Sequence, residues 1–278
     1  MNRAAVLGKS EVMAENSGGA ETGLKTAVMD GYAQFHERRF AYLVKRITDV
    51  LPPQSHVMDM GCHFLDQAVM LAQAGYKVHG FDASAFTELP SVRAVAQQHN
   101  IGLSPIHDLS LGQFGSEIPD STFDALVFAE IIEHLAFNPL LMWKSIFRVL
   151  KPNALIFVST PNGLGLRRRT KEIAKIVLGM GKGPSLKEIF GSVTYGHHWK
   201  EYGRRELVNY FNYLGVPREN IHVYRYNYRK PGDLWKQGKV SWTLGLFMDR
   251  IPLLREEIFL VAQLPATKPA VPDPPSYS

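Results

Sequence analysis

The sequence predicts an α/β fold built as a doubly wound, mostly parallel sheet, and three observations carry that prediction. Short apolar runs without an alternating period, such as Ala125 to Phe128 (ALVF), are what parallel strands buried on both faces require. Segments with apolar residues at helical spacing lie between these runs, so successive strands are joined by helical crossovers rather than hairpins. The chain has 278 residues, 45% hydrophobic and 21% charged, enough for one α/β domain with insertions or two small ones.

Taken in order, residues 1–30 are small, polar and glycine-rich and are expected to form a mobile tail. Gly31 to Val50 carries aromatic and aliphatic residues at helical spacing, and Pro52 and Pro53 end it. His56 to Asp59 reads as the first strand. Leu65 to Ala74 reads as a helix closed by Gly75. Lys77 to Asp82 is the second strand, Leu89 to His99 a helix, and Ser104 to Asp108 the third strand. Residues 123–162 then read strand, acidic turn, helix (Pro139 to Leu150, stopped by Lys151 and Pro152), strand (Leu155 to Ser159) and STPN loop. Arg204 to Leu214 is a helix with Gly215 as its cap, and Ile221 to Tyr226 and Glu257 to Ala262 are late strands. The close of the chain, 266–278, is proline-rich and expected to be extended.

Bulk properties exclude several classes. The single cysteine, Cys62, permits no disulfide within the chain and fits a reducing compartment. No apolar stretch has the length of a signal-peptide core or a membrane span, so the expected location is cytoplasmic, with peripheral membrane contact left open. The net charge of +5 leans toward an anionic partner, although solubility alone accounts for such a value.

The chemistry-bearing residues cluster at carboxyl ends of strands, where open parallel sheets bind ligands. VMDMGCHFLDQ places Asp59 and Gly61 at the first turn, and Asp82 and Ala83 end the second strand. An acid there can accept from both hydroxyls of a ribose. A nicotinamide dinucleotide fits less well, because no GxGxxG follows the first strand. Glu130, Glu133 and His134 follow the fourth strand, at spacing that puts three polar groups on one side of a helical turn. His197 or His198 in GHHWKEYGRREL supplies a second imidazole. Two carboxylates and two imidazoles form a donor set for Mg, Mn or Zn; the competing reading is a Glu–His network tying two loops together.

The run FDALVFAEIIEHL, RVLKP, STPN, together with Asp59, Gly61 and Asp82, resembles the class I S-adenosylmethionine (SAM)-dependent methyltransferases over roughly Gly31 to Gln263. The resemblance implies a seven-stranded Rossmann-like sheet closed by an antiparallel hairpin, a methyltransferase domain over 31–265, and a lid insertion at 163–200. It implies SAM as cofactor, held by Asp59, Gly61, Cys62, Asp82, Ala83, Asp108 and Glu130. Asp108 matches the position that contacts the adenine amino group, and a loop cap is an equal reading. Cys62 is expected to pack beside the cofactor. The sequence departs from the family's DxGxGxG at His63 and Leu65, which replace the second and third glycines; a relative without turnover is the alternative this raises.

His134, inside EHL, is the expected base, with Glu133 and His198 as its catalytic partners. The ExxEH…H pattern is similar to that of small-RNA 2′-O-methyltransferases and ubiquinone-pathway O-methyltransferases, which bind a divalent metal. That resemblance implies Glu130, Glu133, His134 and His198 as ligands. The insertion carries Arg167, Arg168, Arg169, Lys171, Lys175, Lys182 and Lys187 against Glu172 and Glu188. Such a segment suits phosphate, an anionic membrane or plain solvation. The substrate half resembles bacterial methyltransferases associated with surface-polysaccharide assembly. This implies a hydroxyl of a saccharide or lipid-linked glycan as acceptor. Terminal RNA ribose is the rival, with VYRYNYRK as a stacking surface.

Overall fold

The computed structural model describes residues 36–165, 172–174, 176–179, 190–191, 196–227, 251 and 255–275. The expected tail 1–30, most of the 163–200 insertion and the last three residues lie outside this description.

Helix α1 (36–48) buries Arg39, Phe40, Leu43, Val44 and Ile47, a stripe at helical spacing, against the sheet. The elements that follow are β1 (His56–Met60), α2 (Asp66–Gln73), β2 (Lys77–Ala83), the short α3 (Ser84–Thr87), α4 (Pro90–Gln98) and β3 (Gly102–Ile106). After them come β4 (Phe123–Ala129), α5 (Leu140–Val149), β5 (Leu150–Pro161), α6 (Arg204–Tyr213), β6 (Ile221–Tyr226) and β7 (Glu257–Gln263). The seven strands form one sheet in the order β3-β2-β1-β4-β5-β7-β6. β1 pairs in parallel with both β2 and β4, whereas β7 runs antiparallel to β5 and to β6. The order reverses between β1 and β4, and the crevice at that switch point is where this sheet class takes ligands.

Alternate residues of the central strands face two separate cores. Ala125, Val127 and Phe157 meet α1, α2 and α4, while Leu126, Phe128 and Ile156 meet α5 and α6. Trp143 of α5 is fully buried against Phe128, Phe147 and Phe211, and its indole N–H donates to Tyr210 Oη at 2.7 Å. Truncating it to alanine would cost about 3–5 kcal/mol.

Two strand starts differ from the sequence reading. β3 begins two residues early, at Gly102, which pairs with His79 of β2 and where a Cβ would lie 2.5 Å from Nδ1 of that ring. β5 starts at Leu150 rather than Leu155. Its register against β4 shifts between Phe123 and Ala125, with Asn153 left-handed (φ 62°) after Pro152, so the proline sits in an irregularity instead of breaking the strand. The proline-rich close is anchored to the domain through residue 275. Lys268 Nζ donates to Ser121 Oγ and to the Arg148 and Leu150 carbonyls, Lys144 pairs with Asp273, and Val271 is buried.

Candidate active site

The turn after β1 is built from backbone conformation. Gly61 is left-handed (φ 75°), and a Cβ there would lie 2.2 Å from Ile131 Cδ1, so a larger residue would strain the backbone and displace Ile131 in the β4 turn. His63 and Leu65, at the positions where glycine was expected, are left-handed too, with φ 47° and 69°. Each L-residue held this way costs roughly 1–2 kcal/mol. The surroundings enforce the shape. Gly61 N donates to the Phe81 carbonyl at 2.7 Å, the Leu65 side chain is fully buried, and the His63 ring packs against Phe64 and Phe86. The glycine replacements therefore leave left-handed backbone at all three positions.

Asp82 at the end of β2 accepts from His63 N and from Ala83 N, each at 2.7 Å, one on each carboxylate oxygen. These bonds fix its plane and leave each oxygen a second lone pair. Burial raises its pKa, against the two backbone bonds, which lower it. Asp59 is more deeply buried. Burial and then Asp82 push it to about 7, and its Oδ2 has no hydrogen-bond partner among the described residues. A buried carboxylate oxygen without a donor fits a ligand that brings one. Cys62 is buried and free, and burial, then Asp59 and Asp82, drive its thiol well up, which leaves it a packing group and not a thiolate. Asp108 caps the turn Leu109–Leu111: Oδ1 accepts from Ser110 N at 2.8 Å and Ser110 Oγ at 2.6 Å, and those bonds hold its pKa down.

The second group forms at the end of β4. Glu130 is left-handed (φ 57°); its carboxylate accepts from Ser159 Oγ at 2.8 Å and pairs with Arg39 of α1 at 3.3 Å. Glu133 is fully buried. Thr160 Oγ1 donates to its Oε2 at 2.9 Å, and its backbone carbonyl accepts from Trp199 N and Lys200 N. Burial, then the Glu130 charge, raise its carboxyl well above the usual range.

His134 donates from Nδ1 to the His197 carbonyl at 3.1 Å, and His198 donates from Nδ1 to Glu201 Oε1 at 3.2 Å. A carbonyl and a carboxylate only accept, so each ring holds a proton on Nδ1, and in the neutral form of each ring the lone pair is on Nε2. The two rings meet edge to face at 4.7 Å between centroids, and His134 Nε2 lies 4.0 Å from Glu133 Oε1. Donor atoms of Glu133, His134 and His198 all lie within 4.8 Å of one another.

The structure thus brings together three of the four expected metal donors. Glu130 lies outside that cluster, its carboxylate engaged by Arg39 and Ser159. It also brings Asp59, Gly61, Cys62, Asp82 and Ala83 to the neighbouring strand ends. Sequence reading missed Arg39, Ser159, Thr160 and Glu201 as supports. Thr160 lies in the STPN motif and Glu201 three residues after His198, so both were visible; Arg39 lies in a helix whose local pattern says nothing of β4. Tyr202 is buried, bridged to Asn162, whereas Trp199 is 50% exposed.

No helix among the described residues is long and apolar enough to cross a membrane. No curated protein matches the chain in sequence. Solved structures share its fold. An O-methyltransferase family protein from Burkholderia thailandensis superposes with TM-score 0.57 at 10% identity, covering 95% of this chain and 64% of that one. Phosphoethanolamine N-methyltransferase 2 of Haemonchus contortus, in complex with SAM, gives TM-score 0.54 at 15% identity, covering 82% of this chain and 52% of that one. This chain therefore spans about half the length of that enzyme. A SAM-dependent methyltransferase from Thermotoga maritima gives TM-score 0.52 at 14% identity, with coverage of 84% and 95%. The methyltransferase domain family matches residues 32–216, more than half of the chain, and the chain belongs to that family.

Proposed function

We propose that the chain is a SAM-dependent O-methyltransferase acting on a hydroxyl of a saccharide or glycolipid. The observation that carries the cofactor reading is the left-handed turn at Gly61, His63 and Leu65 beside the clamped carboxylate of Asp82. In this reading the Asp82 lone pairs accept from ribose hydroxyls, the bare backbone at Gly61 admits the methionine end, and a ligand donor satisfies Asp59 Oδ2. Asp108 Oδ2 faces the adenine amino group while Oδ1 keeps the loop cap. The cofactor supplies a methyl group on a sulfonium, already activated for transfer. What remains for the protein is to align the acceptor and remove its proton.

The lone pair on His134 Nε2 is the group placed for that proton. The His197 carbonyl holds the tautomer, as a fixed acceptor does for a catalytic imidazole. The saccharide acceptor rests on the resemblance of the substrate half, and peripheral membrane contact through the basic insertion belongs to the same reading. The test is methyl transfer from SAM to a panel of saccharide and lipid-linked saccharide acceptors, by wild type and His134→Ala. Transfer to a hydroxyl, lost in the variant while S-adenosylhomocysteine still binds, supports the reading; full activity of the variant overturns the role of His134.

A second reading is favoured by the Glu133–His134–His198 cluster. The acceptors on Nδ1 orient both imidazoles so that Nε2 is left for a ligand, as in metal sites, and Glu133 Oε1 is buried with no hydrogen-bond partner among the described residues. A divalent ion there would supply Lewis-acid polarisation of the acceptor oxygen, and the acceptor would shift toward an RNA terminal ribose or a phenol. Equilibrium dialysis of the stripped protein against Mn or Zn, with His198→Ala as comparison, separates the two. Stoichiometric binding lost in the variant favours the metal.

A further inference from the structure

α6 places two arginines where helix electrostatics does not ask for them. Arg204 and Arg205 occupy its first turn, at the positive end of the helix dipole, where cations cost stability. The carboxylate of that turn is already committed, because Glu206 accepts from Gly203 N at 2.9 Å and from Lys200 Nζ at 2.8 Å. Among the described residues neither Arg204 nor Arg205 has an ion pair. One turn on, Asn209 Oδ1 accepts from Arg218 Nη2 at 2.6 Å and so aims that guanidinium along the helix.

Arg204, Arg205, Val208, Asn209 and Arg218 together line a surface groove of about 240 Å³. On the adjoining β6, Arg225 is partly buried, with Nε lacking a hydrogen-bond partner among the described residues; burial and then Arg204 lower its pKa. Three guanidinium groups thus line the groove with no carboxylate in its lining among the described residues, which favours a bound anion. The groove begins two residues after Tyr202, whose carbonyl accepts from Gly163 N and whose phenol is raised by burial, then Glu206 and Glu133. It runs along α6 from the Tyr202 end toward the turn at Arg218 that precedes β6.

We propose that this groove is an anion subsite that receives a phosphate or diphosphate group carried by the methyl acceptor. Guanidinium forks suit it better than ammonium groups, since each can bond two phosphate oxygens at once. Naming the ligand an acceptor rests on the methyltransferase reading above; the binding of the anion does not.

The test is calorimetric titration of the full chain with inorganic pyrophosphate, in wild type, R204A/R205A, R218A and R204K/R205K, with S-adenosylhomocysteine affinity measured on each. One saturable site is expected, weakened at least tenfold in R204A/R205A and severalfold in R218A and in R204K/R205K, with S-adenosylhomocysteine affinity unchanged. Pyrophosphate binding that is absent, or equal in R204A/R205A, overturns the subsite. Loss of S-adenosylhomocysteine binding in wild type with pyrophosphate binding intact overturns the methyltransferase reading and leaves the subsite standing.

A second arm uses phosphatidylcholine vesicles containing phosphatidic acid. Sedimentation that depends on Arg204 and Arg205 supports a lipid-borne phosphate, and pyrophosphate binding without sedimentation supports a soluble one. A single-stranded oligonucleotide that binds far more tightly than pyrophosphate, with affinity growing with length, overturns the acceptor-phosphate subsite in favour of a nucleic-acid surface.

Discussion

The turn after β1 and the cluster after β4 lie at the ends of adjacent strands and are built by opposite means. The first is a backbone device. Its three left-handed residues include two that are not glycine, yet the conformation survives because Leu65 is buried and the His63 ring is packed. The second is a side-chain device, in which Glu133, His134 and His198 come from two distant stretches and Thr160, the His197 carbonyl and Glu201 aim them. A backbone device tolerates changes of residue as long as the packing enforces its φ values. A side-chain device does not survive loss of its functional atoms.

Four experiments test this contrast, in order of decreasing expected effect. The largest concerns Asp59, whose folded pKa of about 7 stands above the ordinary aspartate value of 3.8. The folded chain binds this proton more tightly than the unfolded one. Its contribution is therefore fully present below about pH 4 and is lost as pH rises through 7, a swing on the order of 4 kcal/mol. Asp59→Asn should remove that slope, so denaturant unfolding at pH 5 and pH 8 should show the variant gaining on wild type at the higher pH. Parallel profiles would mean that Asp59 is not desolvated as described.

Next, His134→Ala should lower methyl transfer about a hundredfold or more while leaving S-adenosylhomocysteine affinity alone. A drop in both would show that the two devices are coupled. Asp82→Ala should weaken S-adenosylhomocysteine binding by roughly 2 kcal/mol, read by calorimetry. Unchanged affinity would remove the ribose assignment. The smallest effect is expected of His63→Gly. Relief of the left-handed backbone is offset by lost ring contacts, so stability should move by less than about 1 kcal/mol and affinity by less than about threefold. A large gain in affinity would show that the histidine obstructs the site.

The same contrast decides what was legible in the sequence. The sheet could be read because β4 and α5 follow hydrophobic periods that sterics dictate locally, and the observed β4 extends the expected Ala125 to Phe128 by only two residues at its start and one at its end. The partner of Glu130 could not, since Arg39 reaches it across the core from a helix whose pattern encodes only burial. The missing glycines at 63 and 65 pointed toward a degenerate turn. Residue type alone hid the left-handed φ, because packing, and not intrinsic preference, holds it there. The early start of β5 was likewise concealed by Pro152, which ordinarily stops a central strand and here lies in an irregularity.

The central claim is that the glycine-poor turn beneath Asp82 still forms a working cofactor site, and calorimetric titration of the purified, metal-stripped chain with S-adenosylhomocysteine tests it most directly. Saturable one-to-one binding, weakened in Asp82→Ala and unchanged in His134→Ala, is the predicted result. Absence of binding in the folded wild-type chain, with and without Mg or Mn, would contradict it.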